Sequence, residues 1–176
     1  WQEGSGRWRI YAGDDGVTVE VGGIDGEPPI VLAERGAWVE LDVGGVAVSF
    51  TGDGPFLPVY YLHGAGEAGG LGDPSMVQAA PVEQYLSRYA FQAAVEAEEH
   101  AVLVTRRVGG AAVMLDDEVI DTFEISVGGY EIAEVAIEAG AHVATSDEAF
   151  GLQSVGHGPG MSYAHLAGVG LTTLGR

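Results

Sequence analysis

The chain has 176 residues, with 29 Gly, 7 Pro and no Cys, and its 7 basic against 26 acidic residues give a net charge of −19. Lack of Cys excludes disulfides, thiolate metal sites and a Cys nucleophile, and Gly far above the usual ~7% excludes a fold dominated by long helices. Every basic residue is Arg and only Arg106 and Arg107 are adjacent, so the clustered cations needed for nucleic acid or an anionic membrane surface are missing.

No apolar run approaches the ~18 residues that span a bilayer, which argues against membrane insertion. The sequence starts at Trp1, as expected of a processed form or a fragment of something longer. It holds no Lys and no Asn, so Lys–Asn isopeptide crosslinks and N-glycosylation are excluded. Both missing residues have AT-rich codons, which points to a high-GC bacterial source. The acidic surface suits an extracellular or cell-surface setting.

In chain order, Val17-Thr18-Val19-Glu20-Val21 alternates apolar and polar residues, the period of a half-buried strand. Val46, Val48 and Phe50 repeat the pattern, with Ala47, Ser49 and Thr51 opposite. From Val82 to Val108 there is neither Gly nor Pro, and Val82, Leu86, Tyr89, Ala90, Ala93 and Ala97 fall at helical spacing. Local propensity reads a helix to about residue 99 and then a strand from His100 to Arg106. The competing and preferred reading is a short helical turn over 81–86 followed by two strands, and it rests partly on the resemblance described below. Phe123, Ile125 and Val127 alternate again, with Glu124 and Ser126 outward. In the stretch from Tyr130 to Ile137 the apolar parity changes near Ala133, which predicts a bulge.

Turn signals separate these runs: Gly13-Asp14-Asp15-Gly16, Asp25-Gly26-Glu27-Pro28-Pro29, Gly44-Gly45, Gly109-Gly110 and Gly128-Gly129. The spacing predicts about a dozen short strands in an all-β fold of two packed antiparallel sheets, a β-sandwich or jelly roll, with at most one short helix near 81–86. Residues 1–176 read as a single β-rich domain, with two lobes of about 1–63 and 75–176 joined by a Gly-rich loop over 64–74 as its subdivision.

Several motifs carry chemistry on paper. Gly64-Ala-Gly66-Glu-Ala-Gly69 matches G-x-G-x-x-G, but Gly70-Leu-Gly-Asp-Pro74 follows where a dinucleotide site needs a helix N-terminus, so it reads as a flexible loop. Of the five His (His63, His100, His142, His157 and His165), the last three could converge on Zn²⁺ or a similar ion. Their spacing fits no helical pair, and capping of loops is the commoner role. Asp147, Ser162 and His165 supply the residue types of a hydrolase triad without a G-x-S-x-G elbow. Asp14-Asp15 and Asp116-Asp117-Glu118 could ligate Ca²⁺, though acidic turns are ordinary on such a surface. Trp1, Trp8 and Trp38, with Tyr60, Tyr61, Tyr85, Tyr89, Tyr130 and Tyr163, could form a sugar or protein contact surface, or pack on sheet faces.

Gly72-Asp73-Pro74-Ser75-Met76, Pro81-Val-Glu83-Gln84-Tyr85-Leu and Arg88-Tyr89-Ala-Phe91 are similar to successive runs of the IgGFc-binding protein N-terminal domain family. Ala112-Val113-Met114-Leu115-Asp116 resembles that family's hairpin. The stretch from Tyr130 through Gly140 and His142, Ser146-Asp147 and Phe150-Gly151 to Ser162-Tyr163-Ala-His165-Leu-Ala167-Gly168 is the most similar. The resemblance runs from about residue 56 to 171. Asp117 stands at the family's turn Gly, His157 and His165 stand at Tyr-like positions, and Leu166 replaces a Pro.

The resemblance implies a non-enzymatic β-rich module of secreted or surface proteins, large bacterial ones among them, and makes packing the expected role of His142. Fc binding does not follow from it. The expected function is a binding or adhesion module of a larger extracellular bacterial protein, recognising protein or glycan, with no catalytic, cofactor-binding or metal residue assigned. Alternatives are a structural spacer that stacks against neighbouring domains of its parent chain, and a metal-dependent or serine hydrolase using His142, His157, His165 or Ser162.

Overall fold

A computed structural model describes residues 6–64 and 72–171 of the chain. Strand alternation starts earlier than Val17. In β1 (Gly6–Ala12), Trp8, Ile10 and Ala12 join a core while Arg7, Arg9 and Tyr11 take the other face. β1 pairs antiparallel with β4 (Trp38–Leu41) and β6 (Phe56–Leu62), and β6 pairs with β7 (Met76–Gln78), giving the order β4-β1-β6-β7. A second sheet has β2 (Val17–Gly22) between β3 (Ile30–Leu32) and β5 (Ser49–Gly52). The two sheets close on Ile10, Ala12, Val17, Val19 and Leu32, with Trp8, Phe50 and Phe56 packed at the margin. Each large side chain so buried contributes ~1.5–3 kcal/mol.

The second half builds a separate core. Its strands are β8 (Leu86–Ala93), β9 (Glu99–Arg107), β10 (Val113–Leu115), β11 (Glu118–Val119), β12 (Ile125–Val127), β13 (Tyr130–Ala136), β14 (Gly140–Gly158) and β15 (Met161–Leu166). β14 is 19 residues long and changes partners along its length. Residues 140–146 run between β8 and β10, whereas residues 151–158 run between β9 and β15. The register with β8 slips between Thr145 and Phe150, and a strand that bulges in this way turns a corner from one layer to the next. Tyr89 fixes the slip: its hydroxyl accepts the Leu86 N–H and donates to the Phe150 carbonyl. Tyr89, Phe91, Val102, Val104, Phe150 and Leu152 form the centre of this core.

The all-β class is as expected, with fifteen strands and one short 3-10 turn at Val82–Gln84 among the described residues. That turn and the two strands after it replace the competing helix to residue 99. Continuous hydrogen bonding makes three sheets, of four, eight and three strands, where two were expected: the first half supplies two of them, and β14 joins two sets of ladders into the single eight-stranded sheet of the second half. Three local expectations are corrected. The β13–β9 ladder runs unbroken from Tyr130↔Arg107 to Ala136↔Ala101, so there is no bulge at Ala133. The parity change arises because Glu131, on the Ala133 face, is paired with Arg106 at 2.7 Å, while Tyr130 and Ile132 face away. The strand expected from Val46 begins only at Ser49, since Gly44 and Gly45 turn at φ 58° and 82° and leave Val46 exposed. Likewise β12 starts at Ile125, and Ile125 is exposed because it lies on the outer face opposite Ile132.

Candidate functional site on the outer face of the four-stranded sheet

The register of the first sheet gathers specific side chains on its outer face. Trp38 lies opposite Tyr11 and Glu40 opposite Arg9. On the other side Tyr61, Val59 and Leu57 lie opposite Arg7, Arg9 and Tyr11, and Met76 follows opposite Tyr61. Arg9 is the centre of this array. Its guanidinium carbon sits 4.7 Å from the Trp38 ring centre and 4.8 Å from that of Tyr61. Its Nε donates to Glu40 Oε1 at 2.8 Å, and Arg7 Nη1 lies 3.5 Å from the second Glu40 oxygen. Each cation–ring contact at an exposed site is worth ~0.5–1 kcal/mol, so Arg9 is held by several weak contacts at once.

The electrostatics follow from those contacts. The hydrogen bond to Glu40, and a further one to Tyr11, push the Arg9 pKa up; the same Arg9 contact holds Glu40 below its ordinary value. The Tyr11 and Tyr61 hydroxyls are 3.0 Å apart. Tyr61 and then Arg9 pull Tyr11 down, while the bond to Tyr11 pushes Tyr61 up.

Around this array the surface is apolar. Trp38 is 52% exposed, Leu57 41% and Met76 62%. A groove of about 560 Å³ opens beside them, between Tyr11, Leu57, Tyr61 and Met76 on the sheet and Ala164 and Leu166 of β15. Among the described residues no Asp or Glu lines this groove, although the chain has 26 acidic residues. Aromatic residues, Met and Arg with few carboxylates make the composition of a protein-contact surface.

The remaining aromatic candidates are placed elsewhere. Trp8 packs inward against Phe50 and Tyr60, at 5.2 and 5.1 Å between ring centres. Tyr85 is half-buried, its pKa pushed up to about 12 by loss of solvent, and stands edge-on to Tyr130. Its ring fills the space above Gly151, where a Cβ would sit 2.5 Å from Tyr85 Cζ. Tyr89 holds the β14 corner, and Tyr163 lies over Gly156 and meets His100 Nδ1 at 3.0 Å. Trp1 and most of the Gly-rich loop, residues 65–71, lie outside the described residues. Tyr11, Arg9 and Met76 were missed as site residues. The signal was present in Arg7-Trp8-Arg9-Ile10-Tyr11-Ala12, whose alternation puts both Arg and Tyr11 on one face.

The His, triad and acidic candidates do not converge. His142 meets Asp116 at 2.6 Å and the Glu138 carbonyl at 2.9 Å, and stacks on Phe91. His157 pairs with Glu99 at 3.0 Å, and His165 stacks on Tyr163. Among the described residues no three His, Asp or Glu side chains are grouped to hold a metal ion. Ser162 and His165 are three residues apart on β15 and therefore on opposite faces, and the Ser162 Oγ accepts the Asp73 N–H at 3.0 Å. Asp14 accepts the Asp15 N–H, Asp15 the Arg35 N–H, and Asp116 the Val143 N–H. These carboxylates serve their own turns. A second cleft of about 650 Å³ carries Glu98, Glu99, Glu124, Glu134 and Glu138 among its lining residues, a negative field facing solvent.

No curated protein and no solved structure matches the chain. A family model described as IgGFc binding protein does match, over residues 2–156. The match reaches back over β1–β5, which lay outside the resemblance read from the motifs at 56–171. The chain belongs to the IgGFc-binding protein family.

Proposed function

We propose that this chain is a non-enzymatic recognition module of a larger secreted or cell-surface bacterial protein, and that it binds a protein partner through the outer face of β4-β1-β6-β7. The observation that carries this reading is Arg9 held between Trp38 and Tyr61, with exposed Leu57 and Met76 beside it and a groove with no carboxylate among its described lining residues. Arg9 covers ring faces on which a sugar would stack, which favours a protein over a glycan as ligand. The family's name is drawn from protein binding, and it makes IgG Fc one ligand to try rather than the assigned one.

The separate cores, one from residues 8–56 and one from 86–167, support two lobes within this module. Because β7 completes the first sheet, we place the boundary after Gln78 rather than at 75. The test is binding of the immobilised chain to IgG Fc, mucin and a glycan panel, with calcium and with chelator. Saturable protein binding lost in Trp38→Ala is the expected result. A flat panel from well-folded protein would instead favour the spacer role.

A further inference from the structure

Among the described residues, the longest strand with a single partner is β8, which pairs with β14 alone. The phase of that ladder is set from the far side of β14. The Asp116 N–H donates to the Val143 carbonyl and the Val143 N–H to Asp116 Oδ1, so the main-chain groups of Val143 face β10. Successive residues of a strand alternate in this respect. His142 and Ala144 therefore direct theirs to β8, where Phe91 and Tyr89 lie opposite. Arg88, Ala90 and Gln92, opposite Thr145, Val143 and Ala141, form the non-hydrogen-bonded pairs. Their N–H and C=O groups point away from β14. All three residues are exposed, and among the described residues no strand runs along this edge. The Gly170 N–H donates to the Gln84 carbonyl and Gly168 lies beside Leu86 and Tyr89, which closes only the start of the edge. Sheet edges are ordinarily blunted by Pro, Lys, bulges or inward-pointing charges. Residues 88–92 carry none of these: Tyr89 and Phe91 point to the core, and the one charge, Arg88, lies on the outer face.

We propose that β8 is a second binding site, separate from the outer face of β4-β1-β6-β7, and that it takes an extended acidic segment of a partner polypeptide as an added strand. Arg88, Ala90 and Gln92 repeat donor and acceptor pairs every ~6.8 Å, the two-residue repeat that another polypeptide strand matches. Charge selects among polypeptides. Arg7, Arg9 and Arg106 each have a Glu partner. Among the described residues Arg88 has no ion pair, and the side chain opposite it is the uncharged Thr145. The added segment therefore places Asp or Glu beside Arg88 and uncharged residues beside Ala90 and Gln92. A second copy of this chain fits less well. Antiparallel pairing about a two-fold axis at Ala90 sets Arg88 opposite Gln92, supplies no carboxylate, and brings together two chains of −19.

The experiment selects ten-residue peptides from a random display library on the full chain carrying Trp38→Ala, which removes the face proposed above. The enriched sequence is then synthesised, with analogues N-methylated at alternate positions, and measured on the native chain. An acidic peptide is expected, bound equally by the native chain and Trp38→Ala. Arg88→Glu is expected to weaken it about threefold or more. Ala90→Pro is expected to weaken it about tenfold or more, the loss of one or two hydrogen bonds; Pro is tolerated there because the missing N–H lies on the outer edge. N-methylation in one alternating phase is expected to abolish binding and in the other to spare it, with slowed hydrogen exchange at Ala90 and Gln92 in the complex. These last readouts stand even if Ala90→Pro fails to fold. No enrichment over scrambled sequences, or peptides indifferent to N-methylation and to Arg88→Glu, would overturn the proposal. So would a dimer of the native chain in light scattering that Ala90→Pro dissociates, since a second copy would then hold the edge. Loss of the β8 site leaves the Trp38 face untouched, and the converse holds too.

Discussion

His142 Nδ1 and Asp116 Oδ2 are 2.6 Å apart, and the same imidazole meets the Glu138 carbonyl through Nε2 at 2.9 Å. Both partners are acceptors, so only the doubly protonated ring satisfies both. Burial lowers the His142 pKa, but Asp116 and Glu138 outweigh it and the net shift is upward. The bond from His142, with the Val143 N–H, holds Asp116 below its ordinary value. A raised His value stabilises the fold below the unfolded pKa of about 6.5 and loses that contribution as pH rises through the folded value. A depressed Asp value stabilises above about 3.9 and is lost as pH falls. The stability difference between the native chain and His142→Gln is therefore largest between about pH 4 and 6.5, on the order of 1 kcal/mol. It shrinks on the alkaline side. Urea unfolding of both proteins from pH 4 to 9 measures it, and a pH-independent difference would contradict the ionic link.

Asp116 and Asp117 form the two-residue turn between β10 and β11 with φ of 50° and 67°. Both are in the left-handed region, where a side chain costs ~1–2 kcal/mol. Asp116 recovers part of this through His142 and Val143, whereas no such bond is made by Asp117 among the described contacts. Asp117→Gly is expected to stabilise by about 1 kcal/mol, a rise in Tm of ~2–4 °C for a chain of this size. Asp116→Gly is expected to destabilise. Thermal melts of the two variants give opposite signs if the account is right.

At the β14 corner, Phe150 is 1% exposed and packs edge-on against Tyr89 at 5.0 Å between ring centres. Phe150→Ala is expected to cost ~3–5 kcal/mol. Tyr89→Phe keeps the ring but strands the Leu86 N–H and the Phe150 carbonyl, at a cost of ~1–3 kcal/mol. Chemical denaturation reads both. A neutral Tyr89→Phe would mean that the register slip does not depend on the hydroxyl.

Much of the fold is legible from alternation and turns. Val17, Val19 and Val21 are buried in β2 as their period requires, and Gly44-Gly45 and Gly128-Gly129 turn with positive φ. The short turn at Val82–Gln84 was legible through Pro81 and the family motifs together. The corner in β14 was not, because its cause is a change of partners from β8 and β10 to β9 and β15, and of these only β15 lies near β14 in sequence. For the same reason composition could name the aromatic residues but not sort them. Trp8 and Trp38 differ only in strand parity and in who lies opposite, and both depend on a register set between β1 and β4. Arg9 was passed over because a lone Arg acquires meaning only when Trp38 and Tyr61 arrive on either side.

The central claim is that ligand sits on the outer face of the four-stranded sheet. The most direct test compares the affinity of a panel-identified protein ligand for the native chain, Trp38→Ala and Tyr85→Phe. Trp38 is exposed on that face, while Tyr85 is half-buried against Tyr130 and Gly151 in the other half of the chain. A central anchor is worth about 2 kcal/mol or more, so Trp38→Ala is expected to weaken binding roughly thirtyfold with Tyr85→Phe unchanged. Equal affinity for the native chain and Trp38→Ala would contradict the assignment of this face.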